Sequence, residues 1–328
     1  MDTEDREKIK EYHNIIDDIK KEIKKVMVGL ETEIDNVLIG LLSNGHILLE
    51  GLPGLGKTML VRTLSEVMDL DYSRIQFTPD LMPADIIGTN ILMEEKGKRY
   101  FEFQKGPLFG QIILADEINR ATPKTQSALL EAMQERSVTV AGKTRKLQQP
   151  FFVLATQNPL EMEGTYPLPE AQIDRFFFKI NIGYPDYDEL KEILVRTTVE
   201  ELPEIETVVT ADEVIELQSL VKKMPVSSEV IDYVIRLILA SQPKKQEAEE
   251  TERLINYGSS PRGAQALILA SKARAFSQTR FNVSFEDVRK IAYPALRHRI
   301  LLSFEGEASD KDIDEIISDI IQETPELT

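Results

Sequence analysis

The stretch Gly51-Leu-Pro-Gly-Leu-Gly-Lys57-Thr58 constrains this chain more than any other feature. It fills every fixed position of the pattern G-x-x-x-x-G-K-[ST]. It also lies between an apolar run, His46-Ile-Leu-Leu-Glu50, and a segment carrying Met59, Leu60, Leu64, Val67 and Met68 at helical spacing. Strand, glycine-rich turn and helix in that order make a phosphate cradle. Glycines reach conformations that side chains forbid, backbone N–H groups turn inward, and the helix N-terminus adds partial positive charge. Lys57 then reaches the β- and γ-phosphates, and the Thr58 hydroxyl ligates Mg²⁺. The expected ligands are ATP or ADP with Mg²⁺, held by Pro53, Gly54, Leu55, Gly56, Lys57, Thr58 and Met59.

Further apolar runs at Ile75-Gln-Phe77, Gln111-Ile-Ile-Leu-Ala115, Phe151-Phe-Val-Leu-Ala155 and Phe176-Phe-Phe-Lys-Ile180 alternate with helical segments. Continuous apolar runs fit parallel strands covered on both faces. Lys124 to Arg136 reads as a helix. Ile91–Phe103 and Ser137–Leu147 read as hairpins turning at Lys96-Gly97 and Ala141-Gly142. Residues 1 to about 43 read as helical. Beyond Gly183-Tyr184-Pro185-Asp186 the pattern is almost entirely helical, with capping boxes at Asp186/Glu189 and Thr210/Glu213 and a Ser227 or Ser228 cap. Helices are expected near 261–277, 284–293 and 310–322. The polar stretch 242–258 reads as a loop. A length of 328 residues suits about two domains. The division expected is 1–184, an α/β nucleotide-binding core with N-terminal helices, and 185–328, an all-α domain.

Two more strand ends carry chemistry. Ile112-Ile-Leu-Ala-Asp116-Glu117 places two carboxylates at the C-terminal edge of the sheet, where ligands of open α/β folds bind. Asp116 would hold Mg²⁺, and Glu117 would polarise an attacking water. Thr156-Gln157-Asn158 ends the next strand with an amide able to hydrogen-bond the γ-phosphate and that water without taking a proton. Arg120, Arg175 and Arg262 are candidates for a guanidinium that stabilises a transferring phosphoryl group, one of them from a neighbouring subunit. On spacing alone each also fits a surface or structural arginine.

Composition removes other classes. The chain has no cysteine, which excludes disulfides, thiolate metal sites and a cysteine nucleophile. His13, His46 and His298 show no ligand spacing. A net charge of −17, from 39 basic and 56 acidic residues, argues against nucleic acid and anionic membrane as main partners. No apolar run approaches the ~20 residues of a membrane span. Met1 to Lys8 is charged without an apolar stretch, so no secretory signal is expected and the cytoplasm is the default compartment.

The order of these elements resembles an AAA+ ATPase, and its details resemble the MoxR family. The stretches that carry the resemblance are Gly45 to Thr58, Gln76-Phe-Thr-Pro-Asp-Leu-Met-Pro-Ala-Asp-Ile-Ile-Gly88, Gly106-Pro107-Leu108-Phe109 and Asp116-Glu117-Ile118-Asn119-Arg120-Ala121. They continue with Leu130 to Glu135, Thr156-Gln157-Asn158-Pro159, Leu168 to Phe176, Ser260-Pro261-Arg262-Gly263 and Leu296-Arg297-His298-Arg299-Ile300. The coverage runs from about 26 to 304. The resemblance implies a P-loop NTPase core, a parallel sheet sandwiched by helices, followed by an all-α lid. It implies Asn158 as sensor 1, Arg175 as an arginine finger entering the neighbouring subunit, and Arg262 as sensor 2 reporting nucleotide state to the lid. It further implies substrate-facing hairpins at about 78–106 and 137–147, a hexameric ring, chaperone-like activity, and a partner with a von Willebrand A domain. Val28-Gly29-Leu30 stands where the family has Val-Gly-Gln, and the backbone at Val28 and Gly29 remains able to hydrogen-bond adenine.

The leading expectation is a ring-forming, Mg²⁺-dependent ATPase that remodels a protein partner. A chelatase-type subunit driving metal insertion would need a tetrapyrrole-carrying partner. A DNA-acting motor would show a salt-sensitive rise in ATPase activity with DNA. A nucleotide switch with negligible turnover needs fewer of Asp116, Glu117, Asn158 and Arg175 than are present.

Overall fold

The structure is a computed structural model that describes residues 3–159, 164–198, 203–243 and 254–327. Helices α1 (Thr3–Val26) and α2 (Glu31–Leu42) precede β1 (Ile47–Glu50), α3 (Lys57–Val67), β2 (Tyr72–Gln76) and α4 (Pro83–Ile87). A hairpin of β3 (Gly88–Glu95) and β4 (Lys98–Lys105) follows, then β5 (Ile112–Asp116) and α5 (Pro123–Glu135). A second hairpin, β6 (Ser137–Val140) and β7 (Lys143–Lys146), leads to β8 (Phe152–Gln157), α6 (Glu170–Ile173) and β9 (Phe178–Asn181). The chain then turns helical, with α7 (Tyr187–Thr197), α8 (Ala211–Lys223) and α9 (Ser228–Ala240). It ends with β10 (Ile255–Tyr257), α10 (Pro261–Ser277), α11 (Phe285–Leu296), β11 (Leu301–Leu302), α12 (Phe304–Glu307) and α13 (Ile313–Glu323).

The five core strands pair in the order β2-β5-β8-β1-β9, and every pairing is parallel. Successive residues of a strand point to opposite faces. Ile47, Leu49, Ile112, Leu114, Phe152 and Leu154 therefore join one core, with α1, α2 and α3. Leu48, Ile113, Ala115, Val153 and Ala155 join the other, with Leu129, Leu130 and Met133 of α5. This two-sided burial is why the strands read as unbroken apolar runs. The edge strand β2 differs. It starts at Tyr72, earlier than its apolar residues indicate, because Arg74 and Gln76 leave one of its faces exposed.

The helical part follows the expected caps. Asp186 accepts from the Glu189 N–H at 2.8 Å and Glu189 accepts from the Asp186 N–H at 3.0 Å. Thr210 and Glu213 form the same reciprocal pair at α8, and at α9 Ser227 caps by accepting from the Val230 N–H. The expected loop at 242–258 is interrupted. Residues 244–253 lie outside the described residues, and Ile255–Tyr257 pair antiparallel with Leu301–Leu302. Three isolated residues with two exposed positions carry too little periodicity to read as a strand. Among the described residues no helix is long and apolar enough to cross a membrane.

The Leu296–Ile300 stretch fastens the helical part to the last core strand. Arg297 donates to the Lys179 carbonyl at 3.1 Å and His298 to that of Phe176 at 3.0 Å. The buried Arg299 pairs with Asp174 at 2.8 Å and donates to the carbonyls of Phe176 and Phe177. The other described histidine side chain, His46, is also structural. Its Nδ1 accepts from the Val153 N–H at 3.0 Å, so Nε2 carries the proton and donates to the Met133 carbonyl. His13 lies outside the described side chains.

Burial pushes the His46 pKa down to about 4 and that of His298 well below its ordinary value. Both imidazoles therefore stay neutral in the fold at pH 5, while the unfolded chain protonates below about 6.5. The unfolded state binds more protons in that window, so stability is complete above it and falls as pH drops from 6.5 towards 4. The urea midpoint should be lower at pH 5 than at pH 7.5, with a shallower slope in His46→Gln. An equal midpoint at both values would refute the neutral, buried assignment.

Candidate functional site

The C-terminal ends of β1, β2, β5 and β8 share one edge of the sheet, and a cavity of about 820 Å³ opens there. The turn after β1 forms its floor. Gly54 and Gly56 have φ of 84° and 78°, in the left-handed region where a side chain is strained. Gly51 serves a different purpose, since a Cβ there would stand 2.8 Å from the Ile182 carbonyl oxygen beyond β9. It lets the loop pass close to that edge strand. Leu60 is the first residue of α3 to bond back, to Gly56 at 2.9 Å. The N–H groups of Lys57, Thr58 and Met59 are thus helix-start donors at the positive end of the dipole. Pro53, Gly54, Gly56, Lys57, Thr58 and Met59 line the cavity.

Lys57 Nζ donates to the carbonyls of Gly51 and Leu52 at 2.7 and 2.8 Å. Partial burial lowers its pKa, and the carboxylates of Asp116 and Glu117 counter that shift. A lysine seated on two neutral carbonyls beside two carboxylates suits an exchange onto a phosphate, a stronger acceptor.

Thr156 organises the acidic pair. Its hydroxyl donates to Asp116 Oδ1 at 2.7 Å and accepts from the Glu117 N–H at 2.8 Å. Glu117 has φ 56° and ψ 51°, a left-handed conformation costing about 1 kcal/mol for an L-residue. Its carboxylate accepts from Gln76 at 2.8 Å and Arg120 at 3.0 Å. Asp116 Oδ2 accepts from Arg74 at 2.7 Å. Asn158 is buried against the same cavity. Arg74, Gln76 and Thr156 were not assigned roles from sequence. The signal for the first two is the polar alternation Arg74-Ile75-Gln76-Phe77 at the end of β2, whose register sets Gln76 against Asp116.

A second cavity of about 380 Å³ shares Val26, Gly54, Gly56 and Met59 with the first. Val28, Leu30, Leu55, Tyr184, Pro185, Leu190 and Ile193 give it an apolar wall of a kind that suits a base. Gly29, at φ 67°, lies against Glu189, whose carboxylate a Cβ would strike.

Arg175 and Arg262 stand elsewhere. Both line a separate cavity of about 260 Å³ together with Arg136, Asp174 and Arg299. Arg262 lies 3.5 Å from Asp174 Oδ2, and Arg175 donates to the Leu130 carbonyl at 3.4 Å. Neither lines the phosphate cavity of its own chain.

The residues fit a hard divalent cation. Thr58 and Asp116 offer oxygen donors beside the helix N-terminus. Among the described residues no group of three or more His, Asp or Glu side chains forms a self-sufficient metal site. A cation here would draw its remaining ligands from phosphates and water, as Mg²⁺ commonly does.

The chain resembles known proteins along most of its length. Residues 46–178 match the ATPase family associated with various cellular activities, and residues 247–320 match the AAA lid domain. The chain is 42% identical over 302 residues to Chaperone MoxR1 of Mycobacterium tuberculosis, covering 92% of this chain and 79% of that one. It is 42% identical to the Bacillus subtilis protein YeaC over 311 residues, 93% of this chain and 94% of that one. The crystal structure of a candidate ATPase from Cytophaga hutchinsonii superposes with a TM-score of 0.91 at 45% identity, covering 98% of this chain and 97% of that one.

Proposed function

Because this chain belongs to the MoxR family of AAA ATPases, and is thus an ATPase, we propose that it hydrolyses Mg²⁺–ATP at a site shared between subunits of a hexameric ring. In that ring it remodels or activates a protein partner. The observation that carries the reading is the single cavity joining the glycine turn, Lys57 and Thr58 to Asp116, Glu117 and Asn158. The phosphates lie on the N–H groups at the start of α3, and the base fills the apolar cavity beside Val28 and Gly29. Lys57 moves from the carbonyls of Gly51 and Leu52 onto the β- and γ-phosphates. Thr58 and Asp116 would hold Mg²⁺, which would supply positive charge to offset that of the phosphates. Glu117 orients and polarises the attacking water, and Asn158 hydrogen-bonds that water and the γ-phosphate.

No covalent intermediate is needed. Positioning and charge stabilisation carry such a transfer, and among the described residues the arginines lining this cavity, Arg62 and Arg74, are paired with Glu66 and Asp116. Arg175 supplies the arginine finger from the neighbouring subunit. Arg262, at the start of α10 in the helical part, shares its cavity and pairs with Asp174, which Arg299 also holds, so as sensor 2 it would couple nucleotide state to the lid from beside the finger. We propose a division into a core, 1–184, and a lid, 185–328. Chaperone-like work by the MoxR relatives favours a protein partner, and one with a von Willebrand A domain is the type we propose.

Lys57→Ala tests the phosphate assignment. Losing a charge-assisted contact should weaken ATP binding about 10- to 100-fold. A fluorescent ATP analogue measures this by anisotropy. Wild-type affinity in the variant would remove Lys57 from the phosphate site.

A further inference from the structure

Both carboxylate oxygens of Asp116 have protein partners. One carboxylate oxygen accepts from Thr156, and the other, Oδ2, is held by Arg74 at 2.7 Å. Arg74 comes from β2, two residues before Gln76 on the same exposed face, and lines the cavity that contains Lys57 and Thr58. The same guanidinium nitrogen donates to Gln76 Oε1 at 2.9 Å. That amide has its orientation set by both ends, since its nitrogen donates to Glu117. Arg74 therefore keeps an acceptor if Asp116 is taken from it.

We infer that Arg74 is a positioning residue, the internal counter-ion of Asp116, which a divalent cation must displace when the nucleotide is loaded. Two cations cannot share one carboxylate oxygen at close range without strong repulsion. Metal at Oδ2 and guanidinium at Oδ2 are thus alternatives. In the metal-free protein Arg74 keeps Asp116 from repelling the phosphates. If a cation took Oδ2, Arg74 would release Asp116 and keep its bond to Gln76, beside the Glu117 carboxylate. Arg74 thereby sets how much Mg²⁺ the protein needs. This rests on the reading that Asp116 faces the metal.

The test titrates Mg²⁺ into full-length protein with a fluorescent ATP analogue and reads the metal midpoint of binding, with a parallel measurement in EDTA. The Arg74–Asp116 pair is partly exposed, with side-chain exposures of 48% and 14%. Arg74→Ala should lower the Mg²⁺ midpoint about fivefold and weaken metal-free binding by a similar factor. Arg74→Gln, which keeps a neutral donor to Asp116, should fall between, and it serves if the alanine variant melts early. Asp116→Asn should raise the midpoint. If Asp116→Asn raises it while both well-folded Arg74 variants leave midpoint and metal-free binding unchanged, the counter-ion role is refuted and the metal reading survives. If Asp116→Asn leaves the midpoint unmoved, the metal reading at Asp116 fails and this inference fails with it.

Discussion

Arg175→Ala is expected to bind ATP with wild-type affinity and to lose turnover by about a thousandfold or more. Arg175 is exposed and lies outside the phosphate cavity of its own chain, so its removal leaves that chain's nucleotide contacts in place. On the proposed shared site, what would disappear is the guanidinium that stabilises the neighbour's γ-phosphoryl group as its charge spreads in the transition state. Phosphate release measured beside analogue binding separates the two effects. A parallel loss of binding would point to misfolding around Leu130, whose carbonyl Arg175 touches. Wild-type turnover would remove Arg175 from catalysis.

Glu117→Gln is expected to hold ATP and turn it over about 10²- to 10⁴-fold more slowly. The amide keeps an oxygen to accept from Gln76 and Arg120, the two donors that place Glu117, so its geometry is preserved. The substitution removes the charge that draws a proton from water. Single-turnover hydrolysis and analogue binding on the same preparation check the result. Activity near wild type would transfer the water-polarising role to another residue.

Much of the fold was legible because its signals are local or periodic. Strands buried on both faces read as apolar runs, as at Ile112–Ala115 and Phe151–Ala155, and capping boxes announced α7 and α8 by spacing alone. The glycine turn identified itself through a dense motif, although Gly51 turned out to answer a packing demand from Ile182 that no motif encodes. Contacts between segments distant in sequence were not legible. Arg74 meets Asp116 and Gln76 meets Glu117 only because β2 and β5 are neighbours in the sheet. Arg262 gathers beside Arg175 because Arg299 and Asp174 tie the helical part to residues 174–177. Spacing gives no hint of that arrangement. The short pairing of Ile255–Tyr257 with Leu301–Leu302 is another case, too brief for any periodicity.

The claim that the site is shared between subunits is tested most directly by mixing two inactive proteins. On the proposed reading, Lys57→Ala has a crippled phosphate site and keeps its finger. Arg175→Ala keeps a phosphate site and lacks the finger. In a head-to-tail ring, mixed assembly places the Lys57→Ala finger against the Arg175→Ala site at about a quarter of the interfaces. ATP hydrolysis, followed with particle mass by light scattering, should be negligible for each variant alone and should return towards a quarter of wild type in the mixture. A mixture that forms mixed particles and stays inactive, or an Arg175→Ala protein as active as wild type at every concentration, would contradict the account.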